Sequence, residues 1–343
     1  MYKINQSKPL KSRWKIILTT FSIVACVFIS GCGEKGEKTE TVYRVGIVSG
    51  LEAFITIADG FKAKMTELGY IEGKNIVYDL HELDADPAGE KRVARKFVED
   101  KVDLIFAFPT GPSFAAKAAA QGTNIPVVFA MAGIEGNNLV ESVPKPGGNI
   151  TGVRFPGPEM TVKRLDILHE LVPHANRIYI IYDNNYPNAP TATEQLRPAI
   201  RDMGLSLVED PINNLEELQA ALQKRAALDD IGIDAILMMP DILTHSSEGF
   251  SEIFESANKH KVPIAGTMAF TAEHGAVFSY GPDTFDIGIL AAIQADRIFK
   301  GVPAGTIMVV TPTMHLRLNY KVIKELGLNV SEGLLSMAKE IIR

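Results

Sequence analysis

Two successive doubly wound α/β lobes are predicted by three features of this 343-residue sequence. Runs rich in β-branched residues alternate with segments whose apolar residues recur at helical spacing. Several runs, such as Leu104-Ile105-Phe106-Ala107-Phe108, are almost wholly apolar, as expected of parallel strands covered on both faces. A Pro- and Gly-rich break, Pro144-Lys145-Pro146-Gly147-Gly148, interrupts the alternation, which then starts again.

In the first half, Tyr43 to Val48 reads as a strand that stops at Ser49-Gly50. Ile57, Phe61, Met65 and Leu68 share one face of a helix ended by Gly69. Asn75 to Leu80 is the next strand and Ala88 to Glu99 the next helix. The apolar strand Leu104 to Phe108 precedes an Ala-rich helix, Pro112 to Ala120, and a further buried strand, Pro126 to Ala130. The order βαβαβαβ specifies a doubly wound parallel sheet. After the break, Asn149 to Val153 reads as a strand that passes between lobes.

In the second half, helices are predicted over 161–171, 193–203 (despite Pro198), 215–227 and 247–260. Strands are predicted at 177–182, 206–208, 235–239, 263–266 and 276–280. A helix over 283–299, a strand over 306–310 and closing helices over 320–326 and 331–341 complete the chain. The halves share a pattern, not a clear sequence repeat.

The beginning of the chain reads as an export signal. Lys3, Lys8, Lys11, Arg13 and Lys15 form a basic region ahead of the apolar run Ile16 to Ile29. That run is shorter than the ~20 residues a bilayer-spanning helix needs, and fits the apolar part of a signal peptide. It ends in Ile29-Ser30-Gly31-Cys32, which resembles the lipobox of bacterial lipoproteins. The resemblance implies cleavage after Gly31 and a diacylglyceryl group on Cys32. Residues 1–31 are then the signal peptide, and 32–41, rich in Gly, Glu and Lys, a lipidated tether. The other cysteine, Cys26, leaves with the signal, so the mature domain has no disulfide, Cys nucleophile or Cys–metal site.

About 300 remaining residues suit two lobes better than one core. The formal net charge of −6 and the absence of a Lys/Arg run after the signal argue against a nucleic-acid surface. No later segment is long and apolar enough to span a membrane. Enzyme motifs are missing: there is no Gly-x-Ser-x-Gly elbow and no phosphate loop. The seven histidines show no zinc-binding spacing, and His169 and His174 read as surface residues. Glu90 to Asp100 reads as a solvated helix face. Asp84 and Asp86 form an acidic loop without calcium-loop spacing. No cofactor or metal is expected.

Five short elements in order resemble one family. They are Gly69-Tyr70-Ile71-Glu72-Gly73-Lys74-Asn75, Ile125 to Phe129, Gly147-Gly148-Asn149-Ile150-Thr151-Gly152-Val153, Tyr280-Gly281-Pro282-Asp283 with Gly288, and Leu316 to Asn319 with Leu326 to Leu328. Together they resemble the substrate-binding lipoproteins of ABC transporters that include tryptophan- and tyrosine-binding members. The resemblance implies a type I periplasmic-binding fold with a three-strand hinge, crossing near 149–153, 280–283 and 310–312. It implies an N-terminal lobe of 42–150 plus 283–310 and a C-terminal lobe of 151–282 plus 311–343. It further implies a monomeric, lipid-anchored, extracytoplasmic protein, not an enzyme, that hands a small molecule to a membrane permease. A sensory module of the same fold and a secreted hydrolase are the alternatives. Two loops depart from the family pattern, Asn184 to Pro190 and Pro240 to Thr244, so the resemblance does not by itself fix an aromatic amino acid as the ligand.

Ligands of open α/β sheets bind beyond the carboxyl ends of the strands. In the first lobe that rule nominates Ser49, Leu51 and Glu52; Phe108, Pro109, Thr110 and Ser113; and Met131. In the second it nominates Asp183, Asn185, Tyr186 and Asn188, with Pro240 and Asp241. Phe155, Tyr280 and Asp283 flank the hinge. Thr110 and Ser113 at a helix start suit a carboxylate, Asp183 or Asp241 an ammonium, and Phe108, Phe129, Phe155 and Tyr186 an apolar body. An amino acid or similar small zwitterion satisfies all three.

Overall fold

The computed structural model describes residues 41–343. The expected signal peptide, Cys32 and all but the last residue of the expected tether lie outside the described residues. Thr41–Arg343 forms one compact unit, and all of its apolar core clusters lie within it.

The first sheet is parallel, in the order β2-β1-β3-β4-β5. It comprises β1 (Tyr43–Ser49), β2 (Ile76–Glu82), β3 (Leu104–Phe108), β4 (Val127–Ala132) and β5 (Ile150–Arg154). Helices α1 (Ile55–Glu67), α2 (Pro87–Glu99) and α3 (Thr110–Ala120) connect the first four strands. Every residue of β3 is buried, because apolar clusters cover both faces of the sheet. The chain stays in this sheet through Arg154, four residues beyond the expected lobe boundary at 150.

The second sheet has the order β12-β11-β10-β9-β8-β6-β7. After α4 (Gly157–Leu171) come β6 (Arg177–Asp183), α5 (Asn188–Asp202), β7 (Ser206–Ile212), α6 (Leu215–Ala226) and β8 (Ala235–Leu237). There follow α7 (Ser247–His260), β9 (Ile264–Gly266), α8 (Ala269–Glu273) and β10 (Phe278–Pro282). β7 continues through Pro211 because it is an edge strand, where a missing N–H costs no ladder bond. Helix α5 starts at Asn188, five residues before the expected 193, since Pro190 is tolerated in a first turn.

Helix α9 (Thr284–Phe299) leaves the second sheet and packs along α1 of the first lobe. Its start is capped by Asp283, whose Oδ1 accepts from Phe285 N at 3.3 Å. The same carboxylate pairs with Arg317 at 2.7 Å and Lys339 at 3.4 Å, which fixes the crossing between lobes. The strand expected over 306–310 is instead a 3-10 turn, Ala304–Thr306, followed by extended chain. That chain meets β5 in one bridge, Val153 to Val310, with Val310 N on Gly152 O at 3.0 Å.

Two further elements differ from expectation. Met314–Asn319 is a strand, β11, antiparallel to β10, and is followed by α10 (Tyr320–Glu325). The helix expected over 331–341 ends at Met337 (α11, Glu332–Met337), and Ala338–Ile342 becomes β12 beside β11. The open edge of β11 offers backbone partners that outweigh the helix-forming Ala, Lys and Glu of this segment.

Candidate functional site

The carboxyl ends of both sheets face one cleft, and their loops supply its walls. In the first lobe, Thr110 opens α3 directly after β3. Its Oγ1 accepts from Gly133 N at 3.0 Å and from Asn188 Nδ2 at 2.8 Å. The second bond joins the lobes, because Asn188 is the first residue of α5. At the end of β4 the ladder to β5 slips between Phe129 and Ala132. Met131 sits there with φ 54°, a left-handed conformation that a bulge imposes on its side chain's direction.

In the second lobe, Asp241 is 5% exposed. Its Oδ1 accepts from Thr244 N at 2.9 Å, while Oδ2 has no partner. Burial pushes this carboxyl up to about 7; the Thr244 donors and the backbone N–H of Asp183 pull it back, while the Asp183 charge adds to the rise. His245, one turn on, is driven down to about 4, first by burial and in part by Arg164. It is therefore neutral. Its Nδ1 donates to Asp241 O at 2.8 Å, so Nε2 accepts from Thr267 Oγ1 at 2.6 Å.

These residues enclose a cavity of about 30 Å³. Pro109, Thr110, Met131 and Phe155 of the expected set line it from the first-lobe side and the hinge; Tyr186, Asn188, Pro240 and Asp241 line it from the second. Sequence reasoning missed Phe54, Ile242, His245, Thr267 and Met268, which complete the wall. Thr267 and Met268 follow β9, so the strand-end rule, applied to that strand as well, finds them. Ile242 lies within the Pro240 to Thr244 loop already singled out, and nothing in the sequence marks Phe54 or His245.

The other expected residues lie outside this cavity. Ser49 donates to Leu51 O at 2.7 Å, and Leu51 is core. Glu52 is exposed at the head of a 3-10 turn. Phe108 packs on Phe106 with ring centroids 5.0 Å apart, and Phe129 is buried in the core on the other face of the first sheet. Ser113 Oγ donates to Pro109 O at 2.5 Å. Tyr280 packs against the second-lobe core, and Asp283 holds the crossing described above. Asp183 accepts from Asn185 N at 2.8 Å in a tight turn. Asp183 and Asn185 line a larger, adjoining groove of about 850 Å³.

Glu90 lies on that groove and corrects the solvated-face reading of its helix. It is 4% exposed, against Gly50 and Gly111, while Lys91, Arg92, Arg95 and Lys96 of the same helix are exposed. Burial, with Asp86 nearby, pushes its carboxyl up to about 7. A raised folded-state value stabilises the fold fully in acid, and that contribution is lost as pH rises through it. Between pH 5 and 8, the wild-type melting temperature is therefore expected to fall relative to Glu90→Gln by ~3 °C or more. Parallel melting profiles for the two proteins would show that Glu90 does not titrate in that window.

Among the described residues no group of three or more His, Cys, Asp or Glu is placed to hold a metal ion, and no helix is long and apolar enough to cross a membrane. The chain is 26% identical over 316 residues to a tyrosine-binding protein of Clostridioides difficile, covering 88% of each. Its structure is similar to that of an ABC domain from Streptococcus pneumonia in complex with L-Trp, with a TM-score of 0.79 and 22% identity over 88% of this chain and 100% of the other. It is also similar to the ligand-free, open structure of a substrate binding protein from Clostridium difficile, with a TM-score of 0.63 and 23% identity over 87% of this chain and 99% of the other. The type I periplasmic-binding fold is shared with these proteins, and the family model for ABC transporter substrate binding proteins matches residues 45–342, so the chain belongs to that family.

Proposed function

We propose that this protein is an extracytoplasmic lipoprotein, anchored through Cys32, that captures a small amine-bearing solute of amino-acid size between its lobes. It presents the closed, loaded form to an ABC permease and performs no covalent chemistry. The observation that carries the reading is the cavity walled by both lobes, with Asp241, whose buried Oδ2 has no hydrogen-bond partner, in its wall. The interlobe bond from Asn188 to Thr110 and the bond from Ser247 N to Asp84 Oδ2 at 3.3 Å support a closed arrangement. So does the closer match to the relative holding L-Trp than to the open one. With about 30 Å³ of space, a solute enters only when the lobes part.

The ligand is sought by thermal shift on Thr41–Arg343 against amino acids, amines, nucleobases, peptides and sugars. A solute at ~100 times its Kd is expected to stabilise the native state by ~2.7 kcal/mol. A hit that raises Tm equally in the wild type and in a variant carrying Tyr186→Ala and Asp241→Ala together would place binding outside the cleft. Anchoring is tested separately. Cells fed an alkyne fatty acid are expected to label the wild-type protein and not Cys32→Ser. Equal labelling of both would contradict lipidation at Cys32.

A further inference from the structure

Resting on the solute-capture reading, the geometry points to a more specific ligand class: a primary amine on an apolar body, recognised by its ammonium without a carboxylate partner. Two buried side-chain acceptors in the cavity wall have no donor, Asn188 Oδ1 and Asp241 Oδ2. Asn188 is 4% exposed and Asp241 5%. A buried acceptor left unmatched is costly, so each implies a donor arriving with the ligand. An ammonium offers three donors and the charge that Asp241 complements.

A carboxylate finds no equivalent. Among the described residues, no Lys or Arg lines the cavity. The ring nitrogens of His245 are engaged by Asp241 O and Thr267 Oγ1, so the ring offers no free donor. Arg164, close enough to influence His245, is wholly buried, and its Nη2 faces Thr161 Oγ1 at 3.0 Å and Met238 O at 3.4 Å. Its Nε and Nη1 are unpartnered, yet it does not reach the cavity wall.

The start of α3 is the other natural seat for a carboxylate, and several of its donors are missing or already engaged. Pro112 has no N–H, and the Ser113 hydroxyl is turned back to Pro109 O and Ala107 O. The Tyr186 hydroxyl, from the opposite lobe, is set against the Thr110 side chain and the Gly111 amide. Tyr186 belongs to the Asn184–Pro190 loop, one of the two that depart from the family pattern. The rest of the wall is apolar, with Phe54, Met131, Phe155, Ile242 and Met268. It suits an aliphatic or arylalkyl body. Placing a carboxylate among unmatched acceptors and apolar side chains leaves a buried charge without a partner.

The test is calorimetric titration of Thr41–Arg343 at pH 8 with two matched sets. One is tyramine, L-tyrosine and 3-(4-hydroxyphenyl)propionate; the other is 3-methylbutylamine, L-leucine and 4-methylpentanoate. In at least one set the amine is expected to bind as tightly as its amino acid or more tightly, the acid to give no heat, and Asp241→Asn to weaken the amine at least tenfold. Tighter binding of both amino acids than of their amines would overturn the amine preference and leave solute capture standing. Silence from all six compounds would overturn it too, and solute capture would then be judged by whether any solute closes the cleft.

Discussion

Gly288→Leu is expected to lower the melting temperature by on the order of 10 °C or to prevent folding. Helices α1 and α9 cross so closely that a Cβ at Gly288 would overlap the Ile57 carbonyl oxygen and lie 2.6 Å from Phe61 N. Gly60, on the facing helix, stands in the same relation to the Phe285 carbonyl. The obstructing atoms are backbone, so no rotamer change relieves the overlap. A leucine must push α9 away from α1 and break the packing of Ile287, Ala291, Ala292 and Ala295 into the first-lobe core. Overpacking alone costs roughly 1–3 kcal/mol, and the loss of that packing adds to it. Circular dichroism melts of the variant and wild type decide the matter. A melting temperature within 2 °C of wild type would show that the crossing is not a close backbone contact.

Asp241→Asn is expected to weaken solute binding at pH 8 by roughly 10- to 100-fold, corresponding to about 1.5–3 kcal/mol for a hydrogen bond to a charged group. The carboxylate must be ionised to pair with an ammonium. Its value of about 7 means that wild-type affinity falls as pH drops below that point. The fall approaches ~10-fold per pH unit, as protons compete for the same oxygen. The groups that set this titration face it from several elements. The charge of Asp183, at the end of β6, raises it, while the Asp183 backbone N–H and Thr244, in its own turn, lower it. Tyr186, on the loop before α5, feels both Asp241 and Glu90. His245 stays neutral until about pH 4 and adds no charge in the window. The pH dependence is expected to disappear in Asp241→Asn. Calorimetry from pH 5.5 to 8 checks this, and an unchanged slope in the variant would remove Asp241 from the site.

Much of the fold is legible because buried parallel strands write themselves as apolar runs. Leu104 to Phe108 and Val127 to Ala130 are strands where the pattern places them. The segments misread are those whose structure depends on a neighbour. Met314–Asn319 carries His315 and Arg317 and becomes a strand only beside β10. Ala338–Ile342 contains Lys339 and Glu340, residues usual in helices, and is extended because β11 is there to pair with it. The candidate site divides the same way. The strand-end rule nominated Thr110, Met131, Asn188 and Asp241, which line the cavity, because where a strand ends is written locally. It also nominated Ser49 and Ser113, and the hinge reading added Asp283; the polar groups of all three serve turns and caps. A Ser or Asp that caps and one that meets a ligand look alike in sequence. Glu90 was illegible for a related reason: its burial comes from Gly50 and Gly111, far along the chain.

In the proposed function a solute bridges two lobes that close upon it. Thr41–Arg343 contains no cysteine, so spin labels can be placed singly and cleanly. Glu82 and Glu248 are exposed and flank the contact between Asp84 and Ser247 at the cleft mouth. Pulsed electron paramagnetic resonance on Glu82→Cys/Glu248→Cys reads the distance across that mouth. With the solute identified by thermal shift, the distribution is expected to shorten and narrow to one population, and Asp241→Asn to require far more solute for the same change. An identical distribution with and without saturating solute would contradict capture by lobe closure.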